Sequence, residues 1–350
     1  MKVSIIVPLF NEEKNIQNIY NSIVNNGYNN FEIIFINDGS TDNSANILAE
    51  ISDKDSRVEV LNQVNSGVSI ARNNGLKHVS GDLIMFCDCD DILVSGAIMN
   101  MVNAYRKTDA PVVQGCFSTD ELGADEDAIV MMATQDILDA VISCCGYSKN
   151  KLQPQFLNSS KGVVGKLFTK HAIDHVQFNS SLKIGEDLMF LVEVYSKINK
   201  IALLNCHVYE IKPNIYSSTR KYNPALIDSS LRFIKVIDKV LLDASLRASH
   251  QIAIDYIKYV TCRAAINASY FHPLATEGFR SLYMDFAKYA GSKQVVDVFK
   301  TIQKITKLNI IVLPMKEKML ISFIVKSHLL SCILVFRSLR MIKRIIKNML

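Results

Sequence analysis

Four short apolar runs alternate with segments of helical periodicity in the first hundred residues. Each run is mainly hydrophobic, with at most one polar residue, and together they cover residues 3–7, 31–36, 58–61 and 83–86. The intervening segments repeat apolar residues every three or four positions, over 16–23, 47–51 and 68–76. Continuous apolar strands that alternate with helices are typical of a mostly parallel sheet covered on both faces. The pattern therefore predicts an α/β fold.

Polar residues follow each run, at the edge where ligands bind in such sheets. Asp88, Asp90 and Asp91 come directly after the run at 83–86. Carboxylates at a strand end can hold a hard divalent cation against phosphate oxygens. A single aspartate there usually starts a turn or caps a helix, but three within four residues favour a metal site beside a nucleotide.

Two other residues are candidates for contacts with a nucleotide. Asp38 follows the second run and could accept the imide N–H of a uracil ring. Arg72 could contact a diphosphate or a base with its guanidinium, although a solvated helix residue is the alternative. The sequence contains neither GxGxxG nor GxxxxGK[ST], so dinucleotide binding and P-loop phosphate binding are not indicated.

Composition narrows the class of protein. The chain has 350 residues, of which 49% are hydrophobic, and this is enough to bury a sizeable core. Its eight cysteines show no CxxC spacing, and the N-terminus lacks the features of a signal peptide. We therefore expect a globular protein with free thiols in a reducing cytoplasm.

The charge is distributed unevenly. Residues 300–350 contain eleven Lys or Arg and one acidic residue, a net charge of +10, whereas the whole chain carries +5. After Tyr222 the apolar residues follow a helical period. From Arg337 to Met349 the basic and apolar residues separate onto opposite helical faces. Such a helix is typical of a membrane interface, and a helix packed on the body with a wet basic face is the alternative.

No membrane-spanning helix is predicted. The apolar stretch over 318–336 is interrupted near its middle by Lys326 and His328, and a central lysine is costly inside a bilayer. The net charge of the tail favours peripheral association with an anionic membrane, and with it a lipid-linked or envelope glycan acceptor.

Four motifs together resemble the pattern of glycosyltransferase family 2, which has the GT-A fold. They are PLFNEE at 8–13, NDGSTD at 37–42, NSGVSIARN at 65–73 and DCDD at 88–91. The resemblance implies an inverting transferase that uses a nucleotide-activated sugar, usually linked to UDP, together with Mg²⁺ or Mn²⁺. No nucleic-acid partner is expected.

The same resemblance implies roles for individual residues. Pro8 and Glu12 would line the nucleoside pocket. Asp38 would meet the base, and Arg72 would border the nucleotide. Asp88 and Asp90 would form the DxD pair, with Asp90 in direct contact with the metal and Asp91 as an adjacent candidate. Cys89 stands where relatives often have serine, which would make the site sensitive to thiol reagents.

The resemblance extends to the segment IGEDLMF at 184–190. There the family's aspartate acts as general base on the acceptor hydroxyl. We therefore assign that role to Asp187 and a supporting role to Glu186. Two acids in the first turn of a helix are also explained by the helix dipole alone.

The predicted organisation is a GT-A domain over 1–222 and a helical extension over 223–350 that ends in the basic amphipathic tail. Within the GT-A domain, 1–110 would be the nucleotide-binding half and 111–222 the acceptor half. Two other classes stay open: a sugar-nucleotide nucleotidyltransferase, and a catalytically inactive membrane-associated module. A nucleotidyltransferase usually carries a Gly-rich basic loop after its first strand, and residues 8–14 do not form such a loop. The inactive module is disfavoured because the acidic residues Asp38, Asp88, Asp90 and Asp187 are intact.

Overall fold

The computed structural model describes residues 1–117, 129–133, 162–212, 222–240, 244–272, 278–308 and 313–338. These residues divide into two compact units. The first unit contains the described residues up to 212 except 181–185. The second contains 181–185 and the described residues from 222 onward.

The first unit is built on an eight-stranded sheet with the order β3-β2-β1-β4-β8-β6-β9-β7. Its strands are β1 (Val3–Leu9), β2 (Phe31–Asp38), β3 (Val58–Gln63), β4 (Leu83–Phe86), β6 (Val112–Cys116), β7 (Ile129–Ala133), β8 (Lys166–Thr169) and β9 (Lys200–His207). A separate two-stranded ribbon pairs β5 (Ile92–Leu93) with β10 (Tyr209–Glu210).

Parallel pairing dominates the half of the sheet that the sequence predicted. The strands β3, β2, β1 and β4 pair parallel with one another, and every residue of β1 is buried. Burial on both faces explains why β1, β2 and β4 are mainly hydrophobic and do not alternate with polar residues. The strands β8 and β7 run antiparallel to their neighbours in the other half. The predicted mostly parallel α/β sheet is thus confirmed.

Helices flank this sheet, and all of them except the one at Ala97–Thr108 correspond to helical segments that the sequence predicted. They are α1 (Ile16–Val24), α2 (Ser44–Lys54), α3 (Val68–His78), α4 (Ala97–Thr108) and α5 (Glu186–Tyr195). A 3₁₀ helix at Lys170–Ile173 follows β8. The helix α3 lies very close to the sheet, because Gly75 leaves no room for a side chain. A Cβ at Gly75 would come within 2.7 Å of Ile6 and 2.9 Å of Ile36.

The second unit is helical, as predicted for the C-terminal extension. Its helices are α6 (Ala225–Val240), α7 (Ala244–Ser269), α8 (Phe279–Ala290), α9 (Lys293–Lys307), α10 (Met315–Val325) and α11 (329–338). Their buried faces form one hydrophobic core, which includes Phe286, Phe299, Ile324 and Phe336. Residues 315–338 are therefore part of a packed core and not a free tail.

The sequence prediction for residues 339–350 of the amphipathic tail falls outside the described ranges. Among the described residues, no helix is both long enough and apolar enough to cross a membrane. The six cysteines in the described ranges are free thiols.

Candidate functional site

The loops that follow β2, β1 and β4 meet at one edge of the sheet. These three strands are parallel neighbours, so their carboxyl ends lie side by side. Hydrogen bonds join the loops that follow β1 and β2. The backbone N–H of Asn11 donates to Ser40 Oγ at 2.9 Å, and the side chain of Asn11 accepts from the N–H of Thr41 at 2.7 Å. The edge is therefore a connected surface of polar residues.

Asp38 is buried at the end of β2 and is already engaged with neighbouring groups. Its carboxylate accepts hydrogen bonds from Gln63 Nε2 at 2.7 Å and from the N–H groups of Ser66 at 2.7 Å and Gly67 at 2.8 Å. Gly67 precedes α3 with a φ of 91°, which glycine adopts without strain. Asp38 thus fixes the start of α3, and its contact with a base stays a prediction.

Arg72 joins two carboxylates that are 99 residues apart in the chain. Its Nη2 lies 2.9 Å from Asp88 Oδ1, and its Nη1 lies 2.6 Å from Asp187 Oδ1. The side chain of Arg72 is only 4% exposed, whereas those of Asp88 and Asp187 are 40% and 26% exposed. The guanidinium therefore lies beneath the surface and presents both carboxylates at the rim. A direct contact of Arg72 with a nucleotide stays a prediction.

Asp187 is held by more than Arg72. It lies in the first turn of α5, and the backbone N–H of Val163 donates a hydrogen bond to it. A Cβ at Gly162 would lie 3.3 Å from Asp187 Oδ2, so this segment passes close to the carboxylate. The fully buried Lys166 donates to the carbonyl oxygen of Gly162 at 2.5 Å and adds a second positive charge near Asp187.

The local electrostatics favour a proton acceptor at this position. Burial raises the pKa of Asp187, and the negative charge of Asp88 adds to the increase, while Arg72 opposes it. Burial and the neighbouring Asp187 raise the pKa of Glu186 in the same way. A carboxylate with a raised pKa is a stronger base, as general base catalysis near neutral pH requires.

Glu12, Asp88 and Asp90 place negative charge at the same rim. Burial raises the pKa of Glu12, and Asp90, Asp42 and Asp88 contribute further, although a hydrogen bond from Asn15 opposes the change. The charges of these carboxylates therefore repel one another, which a bound cation would relieve. The described residues contain no cluster of three or more side chains that could bind a metal by themselves. Mg²⁺ commonly binds through one or two carboxylates and the phosphates of a substrate, so Asp88 and Asp90 fit this arrangement.

Asp91 faces the interior instead. It is buried, and its Oδ1 accepts from the backbone N–H of Lys212 at 3.0 Å. Tyr209 also bonds its carboxylate, and the hydroxyl of Tyr209 accepts from the N–H of Asp88 at 2.8 Å. Burial and the charge of Asp88 raise the pKa of Asp91 to about 7. These contacts fasten the acidic loop to β10, and metal binding by Asp91 stays a prediction.

Pro8 and Cys89 are both buried. Pro8 lies within β1 opposite Ile36, directly before the loop that carries Glu12. The thiol of Cys89 is 4% exposed. Burial, followed by the charges of Glu12 and Asp90, raises its pKa well above the usual value. The expected sensitivity of Cys89 to thiol reagents is therefore not supported, because the reactive thiolate is disfavoured.

Sequence reasoning missed three residues that shape the site. Phe178 lies under Arg72, with the guanidinium carbon 5.2 Å from the centroid of its ring. Tyr209 anchors the acidic loop, and Lys166 supports the segment beside Asp187. Lys166 could have been recognised, because a lysine within an apolar strand calls for a specific partner.

The N-terminal part of the chain, which carries Arg72 and Asp88, matches a known protein family. Residues 4–156 match the model of Glycosyl transferase family 2. Glycosyltransferase GlyA of Streptococcus pneumoniae is 29% identical over 235 residues, which are 65% of this chain and 33% of GlyA. The poly(ribitol-phosphate) beta-glucosyltransferase of Bacillus spizizenii is 30% identical over 58% of this chain and 31% of its own length. The chain thus spans about a third of each of these two relatives.

A solved structure supports the fold over nearly the whole chain. The crystal structure of S. aureus TarS 1–349 in complex with UDP-GlcNAc has a TM-score of 0.66 at 18% identity, and the match covers 97% of this chain and 92% of that chain. The predicted GT-A-type fold with a helical C-terminal region is confirmed.

The shared contact of Arg72 predicts an ordered loss of stability on substitution. Arg72→Met leaves two carboxylates without their cation and should lower the free energy of unfolding by about 3 kcal/mol or more. Arg72→Lys keeps the charge but lacks the planar fork that reaches both partners, so we expect an intermediate loss of about 1–3 kcal/mol. Urea denaturation at pH 7.5 measures both values.

The matched control is Arg57→Met. Arg57 pairs with Asp55 at 2.7 Å, but its side chain is 33% exposed. A half-exposed pair of this kind should cost only about 1 kcal/mol. An equal loss of stability in Arg57→Met and Arg72→Met would contradict the description of Arg72 as a buried link.

Proposed function

We propose that the chain is an inverting glycosyltransferase, as the match of residues 4–156 to the model of Glycosyl transferase family 2 supports. It transfers a sugar from a nucleotide donor, with UDP as the nucleotide, to a hydroxyl group of a glycan or lipid-linked acceptor. The observation that carries this proposal is the link from Asp88 through Arg72 to Asp187. The link brings Asp88, a carboxylate of the proposed donor site in the loop after β4, next to Asp187, the proposed base on α5.

Asp187 acts as the general base. Its side chain is 26% exposed, so an acceptor hydroxyl can reach it, while Arg72 and the N–H of Val163 keep it oriented. It takes the proton of the hydroxyl as the oxygen attacks the anomeric carbon from the face opposite the diphosphate. Glu186 lies beside it and raises the local negative charge, which strengthens the base.

The donor lies across the loops that follow β1, β2 and β4. Pro8 and Glu12 line the nucleoside side of this edge, and Asp38 orients the start of α3 and meets the base. Asp88 and Asp90 would hold Mg²⁺ or Mn²⁺, with Asp90 as the residue that would contact the ion directly. A divalent cation bound there would neutralise charge on the departing diphosphate.

The acceptor belongs to the class of cell-envelope glycans. The named relatives support this, since one of them is a poly(ribitol-phosphate) beta-glucosyltransferase. A nucleotide sugar as donor is supported by the TarS structure, which contains UDP-GlcNAc. These two features support a role in the synthesis of envelope polysaccharide or glycolipid, which we propose takes place in the cytoplasm.

The basic C-terminal region brings the enzyme to an anionic membrane surface. Lys316, Lys318 and Lys326 are exposed on the described part of this region, and residues 339–350 add four further basic side chains. The attraction between such residues and anionic lipids is about 1 kcal/mol for each Lys or Arg near the surface. A lipid-linked acceptor would be concentrated at the same surface.

One pair of variants should separate chemistry from donor binding. Asp187→Asn removes the base but leaves the donor site intact, so we expect kcat to fall by about 10²- to 10⁴-fold while the affinity for UDP with Mn²⁺ stays within about twofold. Asp90→Asn should instead abolish the dependence of UDP binding on Mn²⁺. Release of UDP from a panel of UDP-sugars and isothermal calorimetry measure the two properties.

Asp174→Asn is a matched control, because Asp174 is an exposed aspartate of the same unit and lies outside the proposed site. It should change neither turnover nor UDP binding. Wild-type turnover in Asp187→Asn would move the base elsewhere. Unchanged metal-dependent binding in Asp90→Asn would remove Asp90 from the metal site.

Membrane association can be tested by substitutions in the basic tail. The chain is changed to glutamine at four basic positions of the tail, which are Arg340, Lys343, Arg344 and Lys347. We expect this variant to lose most of its binding to vesicles of anionic phospholipid at low salt, because the attraction is electrostatic. Co-sedimentation with vesicles at low and high salt is the measurement.

The control makes the same change at four exposed basic residues of the first unit, which are Lys54, Lys77, Arg106 and Lys107. This control should sediment like the wild-type protein. If both variants pellet equally with the vesicles, the tail is only a solvated face of the fold.

A further inference from the structure

Phe178 lies in contact with both helices that carry the linked charges. The guanidinium carbon of Arg72, on α3, is 5.2 Å from the centroid of the Phe178 ring. The same ring stacks on Phe190 of α5, with centroids 4.1 Å apart and planes 6° from parallel. A cation over an aromatic ring and a close ring stack are both favourable and directional contacts. The position of this one ring therefore affects both Arg72 and the helix that begins with Glu186 and Asp187.

The segment around Phe178 has no regular secondary structure of its own. Residues 176–179 lie between the 3₁₀ helix and α5, and the nearby His175 has a φ of 59°. Backbone groups in such a segment need partners other than a helix or a strand ladder. Asn73 provides them for Phe178: its Nδ2 donates to the carbonyl oxygen at 2.8 Å, and its Oδ1 accepts from the N–H at 2.8 Å.

These two hydrogen bonds fix Phe178 against α3. The primary amide of Asn73 bonds the N–H and the carbonyl of one residue, as a neighbouring strand would, and the amide cannot rotate without breaking both hydrogen bonds. Asn73 directly follows Arg72 in α3, so the amide and the guanidinium move together. The chain of contacts then runs from Asn73 to Phe178, and from the Phe178 ring to Arg72 and to Phe190.

We propose that Asn73 and Phe178 are positioning residues for the transfer reaction, and this rests on the function proposed above. Asn73 holds Phe178, and Phe178 holds Arg72 and α5 at the separation that lets one guanidinium contact both Asp88 and Asp187. Neither residue touches the substrates. Their contribution is the placement of the base relative to the donor, where an error of about 1 Å costs on the order of 100-fold in rate.

A simple packing role makes a different prediction, and the chain contains the residue that distinguishes the two. Phe168 belongs to the same aromatic cluster and meets Phe86 and Phe190 edge to face, at 5.9 and 6.1 Å between centroids. It is fully buried, but Arg72 does not lie over its ring. Phe168→Leu therefore removes comparable packing without touching the positioning contacts.

The experiment compares two pairs of variants in the full chain. Asn73→Ala and Phe178→Leu test the proposal. Phe168→Leu is the control for the ring. Asn100→Ala is the control for the amide, because Asn100 is a half-buried asparagine of α4 that donates to Cys206 Sγ at 3.3 Å and not to Phe178. For each variant kcat, donor KM, the affinity for UDP with Mn²⁺ and the midpoint of thermal unfolding are measured.

We expect kcat to fall about 10- to 100-fold in Asn73→Ala and Phe178→Leu, with donor KM and UDP affinity within about twofold of the wild-type values. The two controls should keep kcat within about threefold of the wild-type value, even if their midpoints of thermal unfolding fall as far as those of Asn73→Ala and Phe178→Leu. Asn73→Ala changes a half-buried side chain, so it tests the proposal even if Phe178→Leu does not fold.

Three outcomes would overturn the proposal. Wild-type kcat in Asn73→Ala would show that the amide does not position the base. An equal loss of kcat in Phe168→Leu and Phe178→Leu would show that only packing matters. Wild-type protein that binds UDP but turns over no donor would overturn the proposed function itself, and the positioning role with it.

Discussion

The structure depends on one buried cation that is shared by two carboxylates. Arg72 contacts Asp88 and Asp187 at 2.9 and 2.6 Å, and its own side chain is 4% exposed. An arginine buried to this extent pays a large desolvation cost, which only good geometry with both partners can offset. The position of α5 relative to the acidic loop therefore cannot change much without leaving a buried charge unpaired. Phe178, Tyr209 and the N–H of Val163 each contact one of these three side chains or its backbone and so support the link.

Such an arrangement is poorly explained by stability alone. Buried ion pairs can often be replaced by apolar residues of similar volume with no loss of stability. A site that retains three or more acidic groups within one connected region, with raised pKa values at Glu12, Glu186 and Asp187, is unfavourable as a way to fold. It becomes understandable if a cationic metal and a proton from the acceptor are the groups that the carboxylates receive.

The sequence predicted the parallel half of the sheet well, and for a physical reason. Strands buried on both faces are mainly hydrophobic, so the runs at 3–7, 31–36 and 83–86 left little ambiguity, and the partly buried strand at 58–61 follows the same pattern. The parallel arrangement then placed the polar strand ends at one edge. Glu12, Asp38 and Asp88 each follow one of these strands, so the sequence alone assigned them to a common rim of the sheet.

Contacts between distant segments could not be predicted in this way. The sequence predicted that Arg72 borders the nucleotide, but it did not indicate that the guanidinium lies between Asp88 and Asp187. Asp91 and Asp90 are neighbours in the same motif, yet Asp91 faces inward to Tyr209 and Lys212. Neither periodicity nor motif spacing specifies which side chain of a loop faces the interior. The double hydrogen bond between Asn73 and Phe178 spans 105 residues, and only the folded chain reveals it.

The central claim is that Asp187 acts as a base in a single displacement and not as a nucleophile. The configuration of the anomeric carbon tests it most directly. With a donor that turns over in the UDP-sugar panel, ¹H NMR at early times gives the coupling constant of the anomeric proton in the product. Our account predicts inversion, so that an α-linked donor yields a β-linked product. Retention of the donor configuration would contradict it, because attack from the face opposite the diphosphate cannot retain that configuration.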